Sequence, residues 1–130
     1  MYNNSIVITF DFDTNTYNIQ QHNITDNESI VIYFVFISGS ITKNILFNNL
    51  SFGILIQLDN NSIILNKGWP IDDSVYLATD QDFLEFTNVN LATNTKYKMF
   101  LWTEYNNTRY QQELELEIPY IEELPDYEVQ

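Results

Sequence analysis

Residues 96–118 read KYKMFLWTEYNNTRYQQELELEI, and their pattern is the strongest indication of the fold class. Large apolar side chains recur at every second position over 97–101 and again over 114–118, where glutamates fill the alternate positions. Such alternation is typical of β-strands with one buried face. Between the two runs lies the pair Asn106 and Asn107, which suits a tight turn because asparagine tolerates left-handed backbone angles. The segment therefore predicts a β-hairpin with one face in a core.

The same alternation places two large aromatic side chains on the face away from that core. These are Phe100 and Trp102, and side chains of this size are costly to leave in water. One interpretation is that the chain covers them itself, for example with a loop that holds Trp69. A second is that they anchor an interface with another macromolecule. A third is a sugar platform, with Trp69, Trp102 and Tyr105 stacking on pyranose rings.

The rest of the chain has the same strand rhythm. No window of a dozen residues shows the i, i+3, i+4 spacing of an amphipathic helix. Segment 30–37 is apolar on both faces, which predicts a central strand covered on both sides or one with an interface-forming face. Short polar segments, including 59–62 and 67–70, predict loops between strands. The predicted strands are 6–12, 30–37, 41–47, 53–58, 62–65, 74–78, 83–89, 96–103 and 110–118.

Strands in this number and without intervening helices predict an all-β protein, an antiparallel sandwich of about seven to nine strands. We place this sandwich at 1–119, because Pro119 cannot continue a central β-ladder. Residues 120–130 are predicted to form an acidic C-terminal arm. Tyr120, Ile121, Leu124 and Tyr127 are spaced among its acidic residues. The arm is interpreted as a solvated tail, and the alternative is that it docks on a neighbouring subunit.

Charge and composition narrow the classes of function. Five basic residues against eighteen acidic ones give a formal charge of −13, which repels phosphate backbones and anionic lipids. We therefore expect no direct nucleic-acid binding. Since 30–37 is far shorter than the roughly 20 residues of a membrane helix, we expect no membrane insertion either. The N-terminal residues lack a basic segment, which argues against a cleaved secretion signal.

Residues that could support catalysis or hold a cofactor are few. The chain contains no cysteine and a single histidine, His22, which we predict to lie in a surface loop. A transition-metal site and an enzymatic function are therefore not expected, and neither is a bound cofactor. Calcium, which prefers clustered oxygen ligands, is kept as a minor alternative. Its candidate ligands are Asp72, Asp73, Asp80 and Asp82.

Residues 91–101, LATNTKYKMFL, contain the pattern L-x-x-x-T-x-Y followed by alternating apolar residues. This pattern resembles the corner between strands E and F of fibronectin type III and related immunoglobulin-like domains. The resemblance implies an immunoglobulin-like sandwich in which Leu91 and Tyr97 enter the core. It also implies that the Tyr97 hydroxyl forms a hydrogen bond with backbone upstream of it.

A single acidic, asparagine-rich sandwich also resembles the small virion proteins of tailed bacteriophages, among them those of crAss-like phages. This resemblance implies a non-catalytic structural protein made in the host cytoplasm and located in the virion, as a capsid decoration subunit or a tail adaptor. Its expected partners are other virion proteins of the shell, portal or tail, and a homo-oligomer stays open. The alternative is a carbohydrate-binding or adhesion module for a host glycan. The candidate partner-binding residues are Phe100, Trp102, Trp69, Tyr105, Tyr120, Ile121 and Leu124.

Overall fold

The computed structural model describes residues 3–37, 45–47, 51–70, 75–77 and 83–120, and within these ranges all regular structure is β-strand. No described segment is a helix long and apolar enough to cross a membrane. The strands are β1 (Ser5–Asp11), β2 (Thr16–His22), β3 (Ile30–Ile37), β4 (Ile45–Phe47), β5 (Ser51–Leu58), β6 (Ile63–Pro70), β7 (Val75–Leu77), β8 (Phe83–Val89), β9 (Lys96–Tyr105) and β10 (Thr108–Glu117).

Eight of these strands form two four-stranded sheets. Sheet 1 has the order β2-β1-β3-β8 and sheet 2 the order β10-β9-β5-β6, while β4 and β7 pair separately. Neighbouring strands are antiparallel except β1 and β3, which are parallel. The predicted all-β sandwich is confirmed.

The core lies between the facing sides of the two sheets. Aromatic rings join the sheets at its centre, where Phe52 of β5 lies 4.7 Å from Phe34 and 4.8 Å from Phe36 of β3, measured between ring centroids. Burial of these large side chains is the main stabilising contribution in a chain without disulfides. The fully buried set also includes Ile6, Ile8, Phe10, Ile30, Ile32, Ile54, Ile56, Leu91, Met99 and Leu101.

The corner before β9 has the expected contacts. Leu91 and Tyr97 are buried, and the backbone N–H of Ala92 donates to the Tyr97 hydroxyl at 2.7 Å. Asn94, within the corner, has a positive φ of 55°. The tyrosine thus fixes the turn that leads into β9, and with it the position of every side chain on that strand.

Two predictions about loops are wrong. His22 ends strand β2, where it pairs with Ser5 of β1, rather than lying in a loop. Residues 67–70 belong to β6, where Gly68 pairs with Gly53 and Pro70 with Ser51. Among the described strands β6 lies at the edge of sheet 2, and Pro70 is its last residue, which are positions where proline is tolerated.

Candidate functional site

The outer face of sheet 2, meaning its side opposite the core, carries the aromatic residues singled out from the sequence. Burial alternates along β9, with Met99 and Leu101 buried and Phe100 and Trp102 half-buried. The predicted orientation of Phe100 and Trp102 away from the core is confirmed. Across the sheet, Phe100 pairs in register with Leu55 of β5.

Trp102 lies flat on a floor made of two glycines. It is paired with Gly53 of β5, which is in turn paired with Gly68 of β6. A Cβ atom on Gly53 would lie 2.5 Å from Cε2 and 2.6 Å from Cζ2 of the indole, well inside van der Waals contact. A Cβ atom on Gly68 would lie 3.4 Å from Cζ2, at ordinary contact. The indole therefore rests on the β5 backbone and reaches β6, which requires glycine at position 53.

Arg109 of β10 holds the indole from another side. Its guanidinium carbon lies 4.7 Å from the centroid of the Trp102 ring, a cation–π distance. Arg109 Nη1 lies 3.5 Å from Glu104 Oε1, and its Nε donates to Gln111 Oε1 at 3.2 Å. The Arg109 and Glu104 side chains are about half exposed, at 49% and 45%, so this ion pair adds little stability but orients the guanidinium.

A groove of about 470 Å³ opens beside the indole. Its floor is apolar, with Leu55, Phe100 and Trp102, and this volume falls within the usual range of about 300–1,000 Å³ for ligand sites. We call it the Trp102 groove. Polar residues surround the floor, namely Asn66, Arg109, Gln111, Gln112 and Glu113.

Tyr105 does not belong to this face. Its ring stacks on Tyr110 at 5.6 Å between centroids and meets Phe12 edge-on at 5.0 Å, on the core side of β9. Its hydroxyl donates to Asn15 Oδ1 in the turn between β1 and β2. Burial, reinforced by Tyr110, raises the pKa of Tyr105 to about 12. The structure thus separates Tyr105 from Trp102, and the predicted sugar platform does not include it.

A second half-buried tyrosine joins the two sheets at the same end. The Tyr17 hydroxyl of β2 lies 2.9 Å from Thr103 Oγ1 and donates to the backbone carbonyl of Tyr110 at 3.1 Å. Burial raises the pKa of Tyr17 to about 12, against the lowering effects of Thr103 and Arg109. This network positions β10 against β2 and so stabilises the strand that carries Arg109.

The remaining candidate residues are placed only in part. The backbone of Trp69 pairs with that of Phe52 in β6 and β5. Tyr120 is 69% exposed, beyond the end of β10. Ile121 and Leu124 lie outside the described residues, as do the four aspartates considered for calcium. Within the ranges that the structure describes, no three histidine or carboxylate side chains are grouped to hold a metal ion.

Sequence reasoning missed the glycine floor and Arg109. One signal was available for the floor, because Gly53 falls within a predicted strand. Glycine inside a strand often marks a close approach of another group. The partner of that approach, Trp102, follows only from the pairing of β5 with β9.

Comparisons with known proteins give no relative. No family model, no curated protein and no solved structure matches this chain.

Proposed function

We propose that this chain is a non-catalytic structural protein of a bacteriophage virion, an auxiliary or decoration subunit on the capsid or an adaptor in the tail, which docks through the outer face of sheet 2. The observation that carries the proposal is the seating of Trp102 between the Gly53 backbone and Arg109. Tryptophan and arginine are the residue types most enriched at interface hot spots, and a side chain already held in place loses little entropy on binding.

The distribution of charge supports the same face. The four strands of sheet 2 contain four basic and four acidic residues, so they carry no net charge. The whole chain has five basic and eighteen acidic residues, so one basic and fourteen acidic residues lie outside these strands. Those residues account for the whole formal charge of −13. On the outer face alone the count is three basic and four acidic residues, because Lys67 pairs with the core residue Ile54. A subunit of this kind is kept soluble by most of its surface and can approach a neighbour through one nearly neutral sheet face.

The proposal is tested on purified particles of the source phage. Quantitative mass spectrometry should find the chain in particles, at a copy number close to that of the shell protein for a decoration subunit and far below it for a tail adaptor. Absence of the chain from intact particles would refute the virion assignment.

The docking face is tested by incorporation of variants. Trp102→Ala should abolish incorporation while circular dichroism shows an intact fold, because Trp102 lies outside the buried core. Gln20→Ala is the control, since Gln20 is exposed on β2 of sheet 1, away from this face. Should Trp102→Ala unfold the chain, Asn66→Arg places a bulky charge on the exposed rim instead. Normal incorporation of a folded Trp102→Ala or Asn66→Arg variant would contradict docking through this face.

A carbohydrate-binding or adhesion module is the second candidate. It is favoured by the planar polar side chains around the aromatic floor, since Asn66, Gln111 and Glu113 have the amide and carboxylate groups that bind sugar hydroxyls. In a Trp69→Phe background the only remaining tryptophan is Trp102. Saturable quenching of its fluorescence by a glycan would support this candidate, and no response across a broad glycan panel would count against it.

A further inference from the structure

Charged residues on the outer face of sheet 2 form an ordered series along the β9–β10 hairpin. On β9 the outward positions run Lys96, Lys98, Phe100, Trp102 and Glu104, from positive to negative. The residues paired with them on β10 run in the opposite sense of charge, from Glu117 at one end to Arg109 at the other. Each strand therefore has opposite charges at its two ends, and Phe100 lies at the centre of β9.

When the direction of this series is reversed, its positive end lies opposite the negative end of the original, so the charges of the two series are complementary. Consider a two-fold axis that passes through the Phe100 row, lies in the plane of the interface and runs perpendicular to the strands. This axis places β9 over β9 of a second copy, with the two strands running in opposite directions. Lys96 then faces Glu104 of that copy, and Glu117 faces its Arg109. Near the centre, Phe100 faces Phe100, and Lys98 faces Trp102, whose ring already lies between Gly53 and Arg109.

We infer that the occupant of this face is a second copy of the same chain, which forms a two-fold dimer by face-to-face packing of the two sheets 2. The inference rests on the proposed docking role of the face and names its partner. Fourteen of the eighteen acidic residues lie outside the strands of sheet 2, and these strands carry no net charge. Face-to-face packing of the two sheets 2 therefore keeps those fourteen residues away from the strands that meet.

The available area agrees with a reversible dimer. Four strands, each about 4.8 Å wide, and five outward rows, each about 6.8 Å long, give a face of about 650 Å² per copy. Two copies would bury on the order of 1,000 Å², which is the lower bound for a specific interface. We therefore expect association that depends on protein concentration.

One like-charge contact marks this arrangement. Glu113 pairs in register with Phe100, so it lies on the central row and would meet Glu113 of the second copy at the edge of the interface. Glu113→Gln removes this repulsion and should strengthen self-association. A glycan bound in the Trp102 groove, or a different protein partner, gives no reason for such a gain.

The test is analytical ultracentrifugation of the full chain over a wide range of concentrations. The weight-average mass should rise from 15.4 kDa toward twice that value, and Glu113→Gln should shift the transition to lower concentration. Lys96→Glu alone and Glu104→Lys alone should each weaken association by about tenfold or more, because each variant places like charges opposite one another. An equimolar mixture of these two variants should restore the dimer.

Lys67→Glu is the matched control, since it makes the same change of charge on β6 at the position paired with Ile54, whose side chain is in the core. Circular dichroism and thermal unfolding report whether each variant folds. A wild-type chain that stays monomeric throughout would overturn the inference, as would a mixture that fails to restore the dimer. In either case, loss of Trp102→Ala from virions would leave the proposed function standing with another partner. Monomers whose Trp102 fluorescence is quenched by a glycan would assign the groove to a sugar.

Discussion

Adding one methyl group at Gly53 tests how the candidate site is built. In Gly53→Ala the new Cβ would lie 2.5 Å from Cε2 of Trp102, so the indole or strand β5 must move. Overpacking of this kind typically costs about 1–3 kcal/mol. Alanine also recovers about 0.5–1 kcal/mol, because it has less backbone freedom to lose in a strand than glycine. We expect Gly53→Ala to lower the free energy of unfolding by up to about 2 kcal/mol.

The same substitution should change sign once the indole is gone. In a Trp102→Ala background the three atoms nearest the new Cβ are gone, so Gly53→Ala should raise the free energy of unfolding by about 0.5–1 kcal/mol. Gly68→Ala is the matched control in the wild-type chain, since its Cβ would reach Trp102 only at 3.4 Å. It should be neutral or slightly stabilising.

Urea unfolding of the four chains in this double-mutant cycle measures the coupling between positions 53 and 102. We expect a coupling of about 1–3 kcal/mol. Equal effects of Gly53→Ala in the two backgrounds would refute the reasoning, because the indole would then not rest on the β5 backbone. If Gly53→Ala weakened binding without changing the free energy of unfolding, the two glycines would matter more for the position of Trp102 than for the stability of the fold.

Two further predictions concern tyrosine hydroxyls. Tyr97→Phe removes the acceptor of the Ala92 N–H, so it should lower the free energy of unfolding by about 0.5–1.5 kcal/mol in urea titrations. An unchanged free energy would show that this hydrogen bond does not stabilise the corner. Because the pKa values of Tyr17 and Tyr105 are raised to about 12 from 10.0, the folded chain keeps protons that the unfolded chain loses. The free energy of unfolding should therefore fall as the pH rises from about 10 to about 12. Ultraviolet absorbance should show two tyrosines that ionise at higher pH than the others. Simultaneous ionisation of all nine tyrosines near pH 10 would contradict this prediction.

Strands with a strong alternation of apolar side chains could be predicted from the sequence, and β2 could not. On β2 the core-side residues are Tyr17 and Ile19, each only half-buried, among polar neighbours. An edge strand of this kind buries too little apolar surface to show a clear period. The end of β6 was missed for a different reason, because glycine and proline usually mark turns. Here Gly68 lies beside the Trp102 indole and Pro70 lies on an edge strand.

Asparagine content is a further point where structure adds to composition. Every described residue with a positive φ is an asparagine, seven in all, and no described glycine has one. Asparagine tolerates the left-handed region better than other non-glycine residues. The abundance of asparagine, which in a sequence suggests only a biased genome, therefore has a use in the turns of this fold.

The turn of the β9–β10 hairpin connects local sequence to the proposed interface. Asn106 and Asn107 have φ values of 50° and 66°, as a two-residue type I′ turn requires, and they pair Tyr105 with Thr108. That pairing fixes the register that sets Lys96 against Glu117 and orders the charges along the face. A slip of one residue would reverse the face of every side chain on one strand, exposing Leu116 and burying its neighbouring glutamates. Two residues with left-handed backbone thus determine which charges of β10 lie beside which charges of β9, and so the pattern of charge that a second copy would meet.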